Sequence, residues 1–392
     1  MRTAYDGILL AGFGGPEGPD DVMPFLRNVT RGRGIPDERL VEVSHHYQAL
    51  GGSSPINAQN RALRAALEDE LRRRGFDLPV LWGNRNWAPY LPDVISEAAA
   101  AGALRLLGLA TSAYSSYSSC RQYREDFGMA LQSTGLVGTV RIDKIRPYFD
   151  RPGFLQPFID GAATALQQAA EAGIPLTATE VVFTTHSIPG SMATAAGSEV
   201  LGDHTANGAY VDQHLAVCQA VVAALTTLFG GPVQWQLAYQ SRSGPPTMPW
   251  LEPDINDVIV DLAGAGRRAV VVVPVGFVSD HVEVVWDLDH EALETAAAQD
   301  MWFRRVATPG TDPRFVSDLV DLLVDRLQPG SAPAERMPAV RATVRPDFCA
   351  PGCCRNARGA KPTTAGQDSA QDWQPLGIDP VLLRGSGIPG AA

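Results

Sequence analysis

The chain has 392 residues, with 32 Lys and Arg against 43 Asp and Glu, 45% hydrophobic residues and only 19% charged. At roughly 100–200 residues per domain this length suggests two or three domains, and the apolar fraction excludes disorder over most of the chain. A net charge of −11 argues against nonspecific nucleic-acid binding and against a basic membrane-surface patch. No apolar run approaches the roughly 18–20 residues of a membrane span, and the first residues carry no secretory pattern. Five cysteines, an odd number, do not form a disulfide framework, so reduced thiols and a cytoplasmic location are expected.

Short apolar runs alternate with longer helical patterns, which predicts an α/β fold with mostly parallel sheets. In chain order the expected strands are 7–11, 79–82, 105–110, 138–142, 180–184, 234–239, 269–274 and 304–307. Helical periodicity covers 58–74, 91–101, 154–172, 209–228, 254–264 and 314–327, and Pro36 with Asp37-Glu38 behind it opens a further helix. Four strands fall on each side of residues 147–157, predicting two Rossmann-like lobes, 1–153 and 154–328, each with a four-stranded sheet. A Cys-rich extension follows at 329–357, then a Gly-, Ser- and Pro-rich tail at 358–392 expected to be mobile. Two such lobes make a cleft, and ligands of these sheets bind outside the carboxyl ends of the strands.

The first strand runs into Gly12-Phe13-Gly14-Gly15-Pro16-Glu17-Gly18-Pro19. This is neither a dinucleotide fingerprint nor a P-loop, and two prolines remove amides that a phosphate nest would use. A tight loop permitting close approach to a flat ligand is the better reading. Arg31 and Arg33 supply cations suited to carboxylates on a small molecule. After the third strand, 114–123 is rich in hydroxyls and rings and carries Cys120.

His186 stands at the carboxyl end of the fifth strand, where its imidazole can accept a proton near neutrality or bind a divalent metal. Following the seventh strand, Ser279 or Asp280 can cap a helix on which Glu283, Asp287 and Glu291 recur every four residues. Like charges at that spacing repel by about a few tenths of a kcal/mol, a cost a purely structural helix avoids. The pattern therefore reads as a ladder of hard oxygen ligands for a cation or protons, beside the blander reading of a solvated acidic face.

Cys349, Cys353 and Cys354 fall within six residues, the core of a metal site that needs a fourth ligand for zinc or an iron–sulfur cluster. Cys218 lies inside an apolar helix, whereas Cys120 sits on the polar loop and is the better candidate.

Together these blocks resemble the ferrochelatases, most closely their actinobacterial coproporphyrin branch, over about residues 6–354. The resemblance rests on Phe13-Gly14-Gly15-Pro16-Glu17-Gly18-Pro19, Gly51-Gly52-Ser53-Ser54-Pro55-Ile56, Thr185-His186-Ser187-Ile188-Pro189, Gln240-Ser241-Arg242-Ser243-Gly244-Pro245 with Trp250-Leu251, and Pro274 through Glu283, all in family order. It implies insertion of ferrous iron into a porphyrin without a nucleotide, with His186 as proton acceptor or metal ligand and Glu283 as the opposing carboxylate. Asp287 and Glu291 resemble the metal route. Phe13, Arg31, Tyr47, Ser54 and Tyr123 resemble porphyrin-contacting positions, Phe13 standing where firmicute relatives carry a tyrosine. Cys120, Cys349, Cys353 and Cys354 resemble the ligands of a 2Fe–2S cluster. A polar, basic segment at 28–37 stands where enzymes for protoporphyrin carry an apolar lip, favouring coproporphyrin III. Alternatives are a protoporphyrin enzyme, a chelatase for another metal and tetrapyrrole, or a non-catalytic tetrapyrrole carrier. A monomer is expected by the same resemblance, with a downstream enzyme that processes the iron porphyrin as candidate partner.

Overall fold

A computed structural model of the chain describes residues 3–32, 34–198, 204–243, 247–328, 340, 349–350 and 352–365. The eight expected strands all form: β1 (Gly7–Gly12), β2 (Val80–Asn84), β3 (Arg105–Ala110), β4 (Arg141–Lys144), β5 (Thr179–His186), β6 (Trp235–Gln240), β7 (Ala269–Val273) and β8 (Trp302–Arg305). They build two all-parallel sheets of the same topology, β2-β1-β3-β4 and β6-β5-β7-β8. The fourth strand starts later than its apolar run predicts, because Gly138 adopts a positive φ and 137–140 form a turn ahead of it.

Residues of each central strand alternate between two cores. Ile8 and Leu10 of β1 face one cluster while Leu9 and Ala11 face another, and Val271 and Val273 of β7 oppose Val270 and Val272 likewise. A strand covered on both faces has no polar side, which explains runs such as Ala269–Val273 without alternation of polarity. The cover comes from α1 (Val22–Val29), α2 (Asp37–Ala49), α3 (Ile56–Arg73), α4 (Leu91–Ala100), α5 (Gln122–Ser133), α6 (Pro152–Glu171), α7 (Gly190–Thr194), α8 (Ala209–Phe229), α9 (Ile255–Gly264), α10 (Val282–Trp286), α11 (Leu293–Ala298) and α12 (Pro313–Leu327).

The lobes share one hydrophobic cluster that takes in Ile8, Leu107, Phe154, Phe183, Val217 and Leu319. Although expected in the second lobe, α12 reaches back to the first. Arg74 after α3 bonds Ser317 Oγ at 2.7 Å and pairs with Asp321, and the Leu327 carbonyl accepts from Ala4 N–H at 3.3 Å. The segment before β1 and the end of α12 are thereby tied together.

One helix corrects the expectation about apolar runs. By length and composition α8 is long and apolar enough to cross a membrane, although Asp212, Gln213 and His214 occupy its first turns. Its Val217, Cys218, Val221 and Leu225 are buried in the shared core. The Cys-rich extension also differs from expectation at its far end. Residues 359–365, placed in the mobile tail, pack on α5, where a Cβ at Gly128 would lie 2.5 Å from the Pro362 carbonyl oxygen. Most of the Cys-rich extension before Cys349, which opens the segment after the second lobe, and the tail from 366 lie outside the described residues.

Candidate active site

In each sheet the chain reverses its direction of growth between the two central strands, so their carboxyl ends border an open crevice. His186 is the last residue of β5, and the loop after β7 leads to Glu283 in the first turn of α10. That loop lies close over β5. Gly276 N–H donates to the Thr184 carbonyl at 3.1 Å, and a Cβ at Gly276 would lie 2.1 Å from Thr185 Oγ1. Only glycine lets the two strand ends approach this far.

His186 Nε2 stands 3.6 Å from Glu283 Oε2, with the imidazole half-buried and the carboxylate exposed. Nδ1 lies 2.5 Å from the Ser187 carbonyl oxygen. A carbonyl only accepts, so Nδ1 carries the hydrogen and Nε2 of the neutral ring presents its lone pair toward Glu283. Such a nitrogen can take a proton or meet a cation. The expected caps are not used: His281 occupies the N-cap of α10 without a side-chain bond, and Asp280 instead pairs with Arg305 at 3.0 Å.

The acidic ladder does not ride on one regular α-helix, as the spacing had suggested. After Trp286 the backbone widens into a π-helical segment, Asp287–Ala292, before α11 resumes. Such turns add a residue to each hydrogen-bonded ring and recur at functional sites. Asp287 is held from β6 and the residue after it: Ser241 Oγ–H and Gln240 Nε2 both donate to Oδ2, the latter at 3.3 Å. Burial, and then the charges of Glu283 and Glu291 on either side, push Asp287 up to about 7 against the opposing hydrogen bond from Ser241. Glu291, at the exposed end, accepts from Trp286 Nε1 at 2.9 Å.

Among residues expected to contact a flat ligand, Phe13 (39% exposed) and Arg31 lie at the surface. Arg33 lies outside the described residues. Tyr47, Ser54 and Tyr123 are each under a tenth exposed. Ser54 packs beneath the glycine loop, donating its N–H to Pro16 O at 2.8 Å, and Tyr47 packs on Phe25 with centroids 6.0 Å apart. Tyr123 lies under the Arg85 guanidinium, 4.2 Å from its ring centroid. These three support the loops from below.

Cys120 sits in a π-helical turn, Tyr117–Arg121, at the start of α5. Its thiol is in hydrogen-bond contact with Cys349 and Cys354, and Cys353 contacts the same two, so four sulfurs close a ring in which Cys353 and Cys354 are 3.8 Å apart. Hydrogen bonds from Cys120 and Cys353, then the charges of Arg124 and Lys144, hold Cys349 below the ordinary thiol range. Cys218 stands apart in α8, its thiol pushed up by burial. Among the described residues, no group of three or more His, Cys, Asp or Glu stands as a ready-made metal cage. The ring is one of thiol–thiol contacts.

Sequence reasoning missed the residues that hold the site. Gln240 pairs in register with His186 across β5 and β6, which places Ser241 beside the cleft in a left-handed conformation (φ 59°). Arg85, paired with Asp126 at 2.5 Å, lies over both Tyr123 and Phe13. The adjacency of these strand ends depends on strand order, which apolar periodicity does not carry.

Comparison with known proteins agrees with this layout. The Ferrochelatase family pattern matches residues 5–327. A coproporphyrin III ferrochelatase of Leifsonia xyli is 56% identical over 374 residues, covering 93% of this chain and 95% of that protein. Proteins of the same name from Streptomyces griseus and Tropheryma whipplei are 52% and 50% identical, covering 93% of this chain and 97% and 92% of their own lengths. The chain is a member of the ferrochelatase family.

Proposed function

We propose that this chain inserts ferrous iron into coproporphyrin III, giving the iron porphyrin used in haem synthesis. The observation that carries the reading is the His186–Glu283 pair, 3.6 Å apart at the switch point of the second lobe, in a chain 56% identical to a coproporphyrin III ferrochelatase. Two pyrrole protons must leave the porphyrin as Fe²⁺ sheds its water. His186 Nε2 either takes a pyrrole proton or meets the iron, and Glu283 compensates the positive charge that develops beside it. Asp287, poised near half-ionisation at neutrality, and Glu291 beyond it form the route along which iron enters or protons leave. Phe13 and Arg31 contact the porphyrin at the cleft margin, over the loops that Tyr47, Ser54 and Tyr123 support.

A 2Fe–2S cluster on Cys120, Cys349, Cys353 and Cys354 is part of the same reading. Four thiols in mutual contact supply the donor set such a cluster takes, and the positive charges of Arg124 and Lys144 suit a cluster bearing net negative charge. When bound, the cluster would add a four-point covalent staple and a one-electron redox centre. The chain's own part is to bring the extension to α5. Arg124 Nε donates to the Thr364 carbonyl at 2.9 Å, and Cys354 N–H donates to Gly197 O at 3.0 Å.

The test is detergent-free insertion of Fe²⁺ by the purified full chain, followed as loss of porphyrin fluorescence. Coproporphyrin III should be consumed at least tenfold faster than protoporphyrin IX. Preference for protoporphyrin would overturn the substrate assignment, and porphyrin binding without insertion would leave a carrier.

A further inference from the structure

The backbone under His186 is held by a buried polar chain to which the reaction itself assigns no part. Tyr210, in the first turn of α8, lies with its hydroxyl oxygen 2.8 Å from the His186 carbonyl oxygen and 2.8 Å from Thr185 Oγ1. Thr185 Oγ1 is in turn 2.9 Å from His214 Nε2, and His214 Nδ1 is 2.7 Å from the Tyr210 carbonyl oxygen. Thr185, Tyr210 and His214 are all under a tenth exposed. From this geometry we infer that Tyr210 is a positioning residue for metal insertion, anchoring the backbone of His186 so that Nε2 faces Glu283. The inference rests on the reading of His186 as the insertion histidine.

Counting hydrogens identifies which contact is the anchor. The Tyr210 carbonyl can only accept, so His214 Nδ1 carries a hydrogen and Nε2 of the neutral ring accepts from the Thr185 hydroxyl. Thr185's hydrogen is thereby spent. The only hydrogen left for Tyr210's two contacts is its own, and the His186 carbonyl is the acceptor that cannot donate in return. The ring geometry around the anchor is rigid. His214 stacks on Tyr114 with centroids 3.6 Å apart, and a Cβ at Gly208 would lie 1.8 Å from the Ala193 carbonyl oxygen, so α8 starts hard against α7. Ala209 N–H donates to Ala196 O at 2.9 Å, closing the segment that leaves His186 back onto the helix that holds it.

The experiment compares Tyr210→Phe, His214→Leu and His186→Ala in the full chain, measuring kcat for iron insertion and porphyrin Kd by fluorescence quenching. Tyr210→Phe keeps the ring and removes the anchor. Its kcat should fall about tenfold, the scale of a small misplacement of a reacting group, with porphyrin Kd within about twofold of the parent. His214→Leu releases the Thr185 hydrogen to Tyr210 and leaves the anchor intact, so kcat should stay within about twofold. Parental kcat in Tyr210→Phe, a Kd weakened in step with kcat, or an equal kcat loss in His214→Leu would overturn the inference. Should Tyr210→Phe fail to fold, a kcat loss of about tenfold in His214→Leu still overturns the inference. Full activity of His186→Ala would overturn the functional reading itself, a result distinct from an inactive His186→Ala beside an unaffected Tyr210→Phe.

Discussion

His46 of α2 lies flat on Trp286 of α10, with ring centroids 4.3 Å apart and planes within 8° of parallel. The first residue belongs to the first lobe and the second to the helix that carries Glu283, so the stack ties the lobes together beside the acidic residues. Trp286 also stacks on His290 at 4.9 Å and donates Nε1–H to Glu291. Trp286→Phe keeps a stacking ring but frees Glu291, whereas Trp286→Ala removes both ties. The first should raise the KM for iron about twofold to fivefold with kcat unchanged, and the second should also lower stability by about 1 kcal/mol. Steady-state kinetics with varied Fe²⁺ and thermal unfolding separate the two effects.

The pair at the cleft predicts different failures for its two members. His186→Ala removes the proposed proton acceptor or metal ligand, and insertion should fall by at least about 10²-fold. Glu283→Gln keeps the size but loses charge compensation, costing about tenfold or more in kcat with porphyrin Kd unchanged. Stopped-flow porphyrin fluorescence measures both. Activity within twofold of the parent in either variant would contradict the assigned role.

Asp287 makes stability depend on pH with a definite sign. Its carboxyl titrates near 7 in the folded chain and at about 4 when unfolded, so the folded form holds the proton more tightly. That stabilisation is fully present below about pH 4 and is lost as pH rises through 7. Asp287→Asn should therefore gain on the order of 4 kcal/mol relative to the parent at pH 8 and almost nothing at pH 4. Denaturant midpoints at the two pH values test this, and a gain at both would contradict it.

His214 acts in the opposite direction. Burial holds it down to about 3, against about 6.5 in the unfolded chain. Its contribution is fully present above pH 6.5 and is lost as pH falls toward 3, because the unfolded chain takes up the proton first. Unfolding free energy should fall by up to roughly 4–5 kcal/mol over that window on this account, and His214→Leu should flatten the slope. An unchanged slope in the variant would exclude His214 as its source.

The cysteine ring predicts colour. Protein purified without oxygen should be red-brown with visible absorption, and Cys120→Ala should be colourless, whereas Cys218→Ala should match the parent. Lys144 is buried, with its ammonium donating to the Ile145 carbonyl at 2.7 Å, and its charge reaches Cys349. Lys144→Met should shorten the half-life of the visible band severalfold and lower the reduction potential, because a buried positive charge favours the added electron. A colourless parent holding stoichiometric zinc would replace the cluster with a structural metal.

Periodicity in the chain by itself determined the class of the fold. Runs such as Ala269–Val273, apolar at every position, fit strands covered on both faces, and eight short strand patterns with intervening amphipathic stretches leave little besides two parallel sheets. It also singled out His186 and the four-residue acidic spacing, since a reactive side chain at a strand end and repeated like charges both carry a cost visible in one dimension. What the tertiary structure alone decided is which ends meet. Strand order brings β5 beside β6 and β7, so Gln240 and Ser241 come to hold Asp287, and Gly276 lets Thr185 reach His214. Burial of Tyr47, Ser54 and Tyr123 and the return of α12 to the first lobe were likewise hidden. The physical reason is common to all of these. Contacts between residues far apart in sequence depend on packing of whole elements, and no local pattern of polarity records which neighbour an element will find.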